Sequence, residues 1–514
     1  MKGYQAIIIG RGLAGLTAAM RLTELGVTDI LLAGQGLGGT PAIAAINFVL
    51  PENPAGDTPH AYVEDMITAG YGLGNRELVE DMARRSADAY ALLVRAGVQF
   101  ACQKDGTLVF RRLSGHSCAR SLCQTNGLIG KQMAQVLQKR LMQRGVTFTD
   151  RVCVRLLSDG ERVYGVTLLD EKHFNQLDNV YAPVVIAAWG GVGRLFEHST
   201  YPADVNGRTI AMAYNAGAEL VDLEFVEYEP MVVVAPAGVV GEPCPTAMLG
   251  EGAYLLNAKG ERFLLQKRPQ GEAGAPKSLI NRMIWQQVKM GVGSPKGGCW
   301  VDMRHLPVQV LQGYPWFYNR IKAAGIDPQH ELLEVAPMAH SFSGGVRVDR
   351  QYRSSLAGLY AVGEAAGGVH GACRCAGNAA SQAVVSGMIC AETVANSGEV
   401  YVQLNRRFPC EHRIEPSIFE RYAPRIREVA TRGLSVYRSK ASLTEALTEL
   451  ETIQTERPVQ LDGATSDLCL TVRLLLRAAL ARRESRGVHL RIDAPDMSDA
   501  FAHSLVWGKG RDEV

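Results

Sequence analysis

Several ordinary signatures of cofactor and membrane sites are missing from this chain. Its eleven cysteines are scattered and include no CxxC pair. The sequence therefore offers neither an iron–sulfur cluster nor a structural zinc site, and reduced cytoplasmic thiols are expected. No uninterrupted apolar run reaches the ~18 residues of a transmembrane helix. The first residues enter an apolar strand at once, which leaves no room for a signal peptide. We therefore predict a cytoplasmic protein without direct membrane insertion.

The chain also has no marked excess of positive or negative charge. The chain carries 54 basic and 52 acidic residues, a formal net charge of +2, with no long block of one sign. This balance gives no support to nucleic-acid binding, which depends on clustered positive charge. Apolar residues, by contrast, are plentiful. They make up 47% of the 514 residues, enough for a large core divided among two or three domains.

The N-terminus carries a glycine motif between two regular elements. Gln5 to Ile9, apolar from Ala6 onward, is typical of a strand buried in a parallel sheet, and a helix is predicted from Leu16 to about Leu25. Glycines between them permit a tight turn and close approach of the backbone to a pyrophosphate at the helix N-terminus. This arrangement indicates a dinucleotide site, with candidate residues Gly10, Gly12, Leu13, Ala14 and Gly15.

One expected partner of that motif is absent. The second strand, Asp29 to Leu32, should be followed by an acid that binds the adenosine ribose, but Ala33 and Gly34 stand there. Either Gln35 replaces the acid or the ribose is held elsewhere.

The most informative stretch is Gly344 to Gly387, which reads GGVRVDRQYRSSLAGLYAVGEAAGGVHGACRCAGNAASQAVVSG. It holds an apolar strand (Leu359 to Val362), one acid in a glycine-rich turn (Glu364), and Arg374 shortly before a helix that is predicted to begin near Asn378. Bare backbone beside one carboxylate and one cation suits a buried cofactor with an anionic substrate against it.

This stretch resembles the FAD-dependent oxidoreductase 2 family, which contains the succinate dehydrogenase and fumarate reductase flavoproteins and L-aspartate oxidase. The family's GG-(I/V)-x-VD, GLYAxGE and GGVHGANR segments match Gly344 to Val346, Gly358 to Glu364, and Gly367 to Arg374, with Cys373 where Asn is usual. The resemblance covers essentially the whole chain.

The resemblance implies an α/β fold. A Rossmann-like FAD-binding domain (residues 1–225 and 345–412) would carry an inserted α+β capping domain (226–344), followed by a C-terminal helical domain (413–514). Helices are expected from Ile418 to Arg432, Ser442 to Glu451 and Leu468 to Ala481, since each carries an apolar face.

FAD is the cofactor that the resemblance implies. The segment Gly36 to Asn47 is similar to the one that wraps the flavin, and members with covalent FAD carry a His there. This chain has no His in that segment, so we expect non-covalent FAD. Further cofactor-binding candidates, read from the matched segments, are Gly39, Thr40, Gly190, Gly191, Glu364, Asn378 and Ser381. No metal ligands are predicted.

Two substrate residues of the family are present and three positions are changed, one of them a Thr that is Met231 here. His340 and Arg374 match the family's substrate His and Arg. Lys277, in Ala275-Pro276-Lys277-Ser278, stands where the family has its proton-transferring Arg. It is either an acid/base or a solvated lysine at a helix start. Glu229 stands where the family has a carboxylate-binding His.

Glu229 bears directly on substrate choice. A carboxylate aimed at a second substrate carboxylate would repel it, which disfavours succinate and fumarate. That suits a substrate with one carboxylate and a cationic or hydrogen-bond-donating far end. The alternative is that Glu229 pairs with Lys277 or Arg304 and only supports the site.

We therefore predict an FAD-dependent dehydrogenase or reductase that acts on a CH–CH type bond. Hydride would pass between flavin N5 and a small-molecule carboxylate substrate other than fumarate or succinate. Electrons would be exchanged with a separate iron–sulfur or other carrier protein. The alternatives are a soluble oxidase similar to L-aspartate oxidase and a catalytically degenerate flavoprotein subunit.

Overall fold

Helices and strands alternate along the chain in this computed structural model, which describes residues 3–113, 115–125, 127–170, 176–398, 408–410, 415–456 and 462–510. The strands are β1 (Ala6–Ile9), β2 (Ile30–Ala33), β3 (Ala45–Asn47), β4 (Ser121–Cys123), β5 (Thr147–Thr149), β6 (Val152–Ser158), β7 (Val163–Leu169), β8 (Leu177–Tyr181), β9 (Val184–Ala187), β10 (Leu220–Val221), β11 (Val226–Val233), β12 (Tyr254–Leu256), β13 (Cys299–Asp302), β14 (Leu333–Phe342), β15 (Gly345–Val346), β16 (Leu359–Ala361), β17 (Tyr437–Arg438), β18 (Leu490–Arg491) and β19 (Val506–Trp507). The α-helices are α1 (Leu13–Glu24), α2 (Pro59–Ala69), α3 (Arg76–Arg84), α4 (Ser86–Ala96), α5 (Ile129–Gln143), α6 (Arg208–Ala216), α7 (Lys277–Lys289), α8 (Val308–Gln312), α9 (Pro315–Ala323), α10 (Asn378–Asn396), α11 (Pro416–Gly433), α12 (Lys440–Thr455) and α13 (Gly463–Ala481).

A parallel sheet with strand order β16-β9-β1-β2-β5 carries the N-terminal motif. Strands β1, β2, β9 and β16 are buried along their whole length, as expected for apolar strands covered on both faces. All five strands point the same way, so their carboxyl ends share one edge. Loops that carry the glycine motifs leave from that edge, which is where open α/β sheets bind ligands.

A second sheet is antiparallel, with order β11-β14-β13-β12. It has its own hydrophobic core, to which Met231, Leu255, Ile284, Val301 and Val335 belong. Helix α7 packs against β11. Along β11 and β14 the partners include Glu227 with Ser341 and Glu229 with Met338, and this register places the acids of β11 close to the end of β14.

The C-terminal part contains α11, α12 and α13, which pack on one another. Each is somewhat longer than the helix predicted from its apolar face. Among the residues that the structure describes, no helix combines the length and apolarity needed to cross a membrane.

One local expectation needs correction. The helix after the glycine motif begins at Leu13 rather than Leu16. Domain boundaries at residues 225 and 345 remain predictions, and the predicted boundary at 412/413 lies outside the described residues.

Buried charges tie the C-terminal segment to the rest of the molecule. Arg482 is completely buried and its guanidinium contacts Glu224 at 2.5 Å and Glu484 at 2.8 Å. Arg486 contacts Glu484 at 2.7 Å and donates to the Tyr71 carbonyl at 2.9 Å. Val488 N–H donates to the Ala372 carbonyl at 2.9 Å, directly behind the loop that carries Arg374.

The substitution Arg482→Met should lower stability strongly. It would leave Glu224 buried without its cation and Glu484 with Arg486 alone, a loss of about 3–5 kcal/mol for a broken buried pair. Thermal unfolding followed by circular dichroism checks this. The matched control is Arg425→Met, which breaks an exposed pair with Glu456 and should cost about 0–1 kcal/mol. Equal midpoints for the two variants would contradict a supporting role of the buried network.

Candidate active site

A cradle of bare backbone lies at the carboxyl edge of the parallel sheet. Gly10, at the end of β1, has φ +113°, and a Cβ there would come within 2.1 Å of the Ala188 carbonyl oxygen. Glycine is therefore required at this position. Gly12 precedes α1, whose first turn contains Leu13, Ala14 and Gly15. The Leu13 N–H donates to the Thr40 hydroxyl at 2.8 Å.

The other predicted cofactor residues surround the same edge. Gly190 and Gly191 directly follow the β9 region, and a Cβ on Gly191 would come within 2.8 Å of the Glu364 carboxyl carbon. Glu364 lies in the turn after β16. It accepts from the Tyr201 hydroxyl and from the Phe342 N–H at 2.9 Å. Burial raises the pKa of Glu364 above its ordinary value.

Asn378 and Ser381 form part of a buried polar cluster at the start of α10. The Ser381 hydroxyl accepts from the Asn47 N–H at 3.0 Å and donates to the Asn47 carbonyl at 2.7 Å. Asn47 Nδ2 donates to Asn378 Oδ1 at 2.6 Å. These residues thereby join β3 to α10, and Ser381 already has two protein partners.

The cradle contains the free space and free donors that a flavin dinucleotide needs. A Cβ on Gly39 would meet no atom within 4 Å. Within the described part of the chain, Trp189 Nε1 and Asn378 Nδ2 are buried donors that find no hydrogen-bond partner. Buried polar atoms are normally satisfied, so a bound group with several acceptors fits these residues.

A compact group of charged side chains occupies the face between β11, β14, α7 and the loop before α10. Glu227 and Glu229 are two residues apart on β11, hence on one face, and are 3% and 5% exposed. Lys277, the first residue of α7, approaches Glu229 Oε2 at 2.5 Å and Glu227 Oε1 at 4.0 Å. His340 Nε2 lies 3.9 Å from Glu229 Oε2.

Arg374 completes the group. Its Nε donates to Ser341 Oγ at 3.0 Å, and one Nη donates to the Cys375 carbonyl at 3.1 Å. The other Nη lies 3.6 Å from Glu227 Oε1, a charge contact too long for a hydrogen bond. The structure therefore brings the four predicted catalytic candidates, Lys277, His340, Arg374 and Glu229, into one cluster.

The protonation states follow from burial and neighbours. Burial opposes the charge on Lys277, but the carboxylates of Glu229 and Glu227 outweigh it and raise its pKa. Burial, together with the cations Lys277 and Arg374, lowers the pKa of His340 to about 3. His340 is thus neutral at ordinary pH, and its Nδ1 lies 2.9 Å from Thr200 Oγ1. Two cations face two carboxylates, so the cluster is formally neutral.

Sequence reasoning missed Glu227. The available signal was the position of Glu227 two residues before Glu229 on an apolar strand, because residues two apart on a strand lie on the same face. The partner of Glu229 is Lys277, one of its two predicted alternatives. Arg304, the other alternative, pairs instead with Asp302 at 2.9 Å.

A glycine-lined dinucleotide cradle beside a buried charged cluster is the arrangement of a flavoprotein oxidoreductase. Comparisons with known proteins define it further. The family model described as "FAD binding domain" matches residues 5–380, and the model "Fumarate reductase flavoprotein C-term" matches residues 424–514.

Named relatives match along the whole chain. An L-aspartate oxidase of Streptomyces coelicolor is 31% identical, with 96% of this chain and 89% of that protein covered. A fumarate reductase (CoM/CoB) subunit of Methanothermobacter marburgensis is 30% identical, covering 97% and 96%. Sdh1 of Mycobacterium smegmatis superposes with a TM-score of 0.86 at 25% identity, covering 98% and 92% of the two chains.

The chain belongs to the FAD-dependent oxidoreductase 2 family, and FAD is its cofactor. The predicted fold class, an FAD-binding α/β unit with a capping domain and C-terminal helices, is confirmed. Bound FAD would be held by the glycine turns at the edge of the parallel sheet, and it would supply the hydride-transfer chemistry.

The buried neutral His340 should make stability depend on pH in a defined window. Its pKa is about 3 when folded and near 6.5 when exposed. The unfolded chain therefore binds more protons between these values, and stability is lost as pH falls through that window. Thermal midpoints measured from pH 7 to pH 4 should fall less steeply for His340→Gln than for the unsubstituted protein. Parallel curves would contradict a buried neutral imidazole.

Proposed function

We propose that this protein is an FAD-dependent dehydrogenase or reductase of a carboxylate-bearing small molecule that is neither fumarate nor succinate. The observation that carries the proposal is the pairing within the buried cluster. Lys277 is neutralised by Glu229 and Arg374 faces Glu227.

A dicarboxylate would meet an unfavourable charge balance there. Its two negative charges would enter a buried group that already contains as many carboxylates as cations, and buried charge without compensation is expensive. One carboxylate of the ligand placed near Glu229 would also be repelled directly. The cluster instead suits one carboxylate joined to a cationic or hydrogen-bond-donating far end.

Arg374 is the residue we propose to bind the substrate carboxylate. Its Nε and one Nη are fixed by Ser341 and the Cys375 carbonyl, which orients the guanidinium. Its remaining donors face Glu227 without a hydrogen bond. A planar guanidinium with free donors is the side chain best suited to a carboxylate.

Lys277 and Glu229 are proposed to manage the proton that accompanies hydride transfer. The 2.5 Å contact between Nζ and Oε2 gives a proton donor and an acceptor in direct contact. The side chain of Lys277 is about a fifth exposed, so the pair can exchange its proton with solvent. His340, neutral and held by Thr200, would orient the substrate rather than carry charge.

Electron exchange with a separate carrier protein is the remaining part of the proposal. The scattered cysteines provide no cluster-binding motif. One relative is itself named as part of a fumarate reductase with more than one kind of chain. An iron–sulfur protein is the carrier class that we favour.

A second candidate is an oxidase, supported by the 31% identity to L-aspartate oxidase. Its flavin would be reoxidised by oxygen. Anaerobic photoreduction of the purified protein followed by admission of air separates the two. Slow reoxidation supports the dehydrogenase, and reoxidation within seconds supports the oxidase. A protein that cannot be loaded with FAD would instead indicate a degenerate flavoprotein.

The substitution Glu229→Gln should admit dicarboxylates. It removes one buried negative charge and leaves Lys277 available to a second carboxylate. Titration of the flavin absorbance with succinate should show at least about ten-fold tighter binding than before the substitution. The matched control is Glu272→Gln, a buried acid paired with Arg262 in the same sheet domain, which should leave succinate binding unchanged. Unaltered binding in Glu229→Gln would show that Glu229 does not face the ligand.

A further inference from the structure

The end of strand β2 poses a problem for cofactor binding. A dinucleotide-binding unit normally places an acid there for the adenosine ribose. Here β2 ends at Ala33, and Gly34 follows it. Neither residue has a side chain that could accept a hydrogen bond, although FAD is the cofactor.

The side chain of Arg11 lies over this position. It comes from the glycine turn between β1 and α1, and its Nη1 donates to the Gly34 carbonyl at 3.0 Å. Its guanidinium carbon is 5.5 Å from the centre of the Phe148 ring, within the range of cation–aromatic attraction. These contacts fix the direction of the guanidinium across the carboxyl end of β2.

The strand that neighbours β2 in the sheet, β5, is followed by an acid. Asp150 directly follows β5, which pairs with β2 in the register Ala33 with Thr149. Neighbouring strands are about 5 Å apart, so the end of β5 lies close to the position that lacks its acid. Asp150 forms an ion pair with Nη1 of Arg11 and keeps 77% of its side chain exposed, which leaves carboxylate oxygen available.

Arg11 also has an unused donor. Within the described ranges, its Nε is buried and has no hydrogen-bond partner. A buried donor without a partner costs free energy, and such an atom beside a dinucleotide cradle indicates a missing acceptor. The ordinary alternative is a surface ion pair, which would contribute little. It does not explain the orphaned Nε.

We propose that the Arg11–Asp150 pair replaces the missing acid and binds the adenosine ribose of FAD. Asp150 accepts a hydrogen bond from a ribose hydroxyl, and Arg11 Nε donates to a ribose oxygen. The acceptor thus comes from β5 instead of β2, and Arg11 holds it in place across the intervening strand end. Both bonds involve a charged partner, which makes them stronger than neutral hydrogen bonds.

The test uses the full-length protein freed of FAD and does not depend on its substrate. Adenosine diphosphate, its 2′-deoxy form and its 3′-deoxy form are competed against FAD, with flavin fluorescence as the readout. The unsubstituted protein should prefer adenosine diphosphate over at least one deoxy form by about ten-fold or more. Asp150→Ala and Arg11→Ala should each reduce that preference to near unity and weaken FAD binding.

Arg425→Ala, which breaks an ion pair in the C-terminal helices, is the matched control and should keep the preference. Two results would overturn the proposal. Equal binding of all three nucleotides by the unsubstituted protein would show that the ribose hydroxyls are not recognised. An undiminished preference in both Arg11→Ala and Asp150→Ala would show that this is a surface ion pair only.

Discussion

The ion pair between Lys277 and Glu229 is the contact on which the character of the proposed substrate site depends. Its atoms are 2.5 Å apart, and the residues lie 48 positions apart in the chain. Glu227 faces Arg374 in a longer charge contact of 3.6 Å. Because each cation already faces a carboxylate, the cluster has no surplus positive charge for a dianion. Removing one partner would leave a buried charge uncompensated, so the pair shapes both stability and ligand choice.

The residues of this cluster come from elements that are far apart in the sequence. The pleat of β11 turns Glu227 and Glu229 to one face, and antiparallel pairing with β14 places His340 beside them. Helix α7 starts at Lys277, so its positive end also points toward the carboxylates. The loop that carries Arg374 is supported from behind by the C-terminal segment through Val488 and Ala372. The proposed substrate cluster therefore depends on three separate parts of the chain.

The cofactor half of the molecule could be predicted from sequence because its signals are local. Consecutive residues specify the strand before Gly10, the turn and the helix that follows it. For the charged cluster, the sequence indicated which residues are candidates but not which of them are in contact. That Glu229 meets Lys277 depends on the packing of α7 against β11, which no spacing encodes. Glu227 was missed for a related reason. An acid on an otherwise apolar strand can be assigned a role only when its cationic neighbour is known.

The central claim is that the substrate site accepts one negative charge and rejects two. Succinate and 4-aminobutanoate have four-carbon chains and differ chiefly in whether the far end is a carboxylate or an ammonium. Both can be titrated against the flavin absorbance of the FAD-bound protein at pH 7 and low salt. The account predicts a saturable spectral change with 4-aminobutanoate and a much weaker one with succinate. Tighter binding of succinate would contradict it.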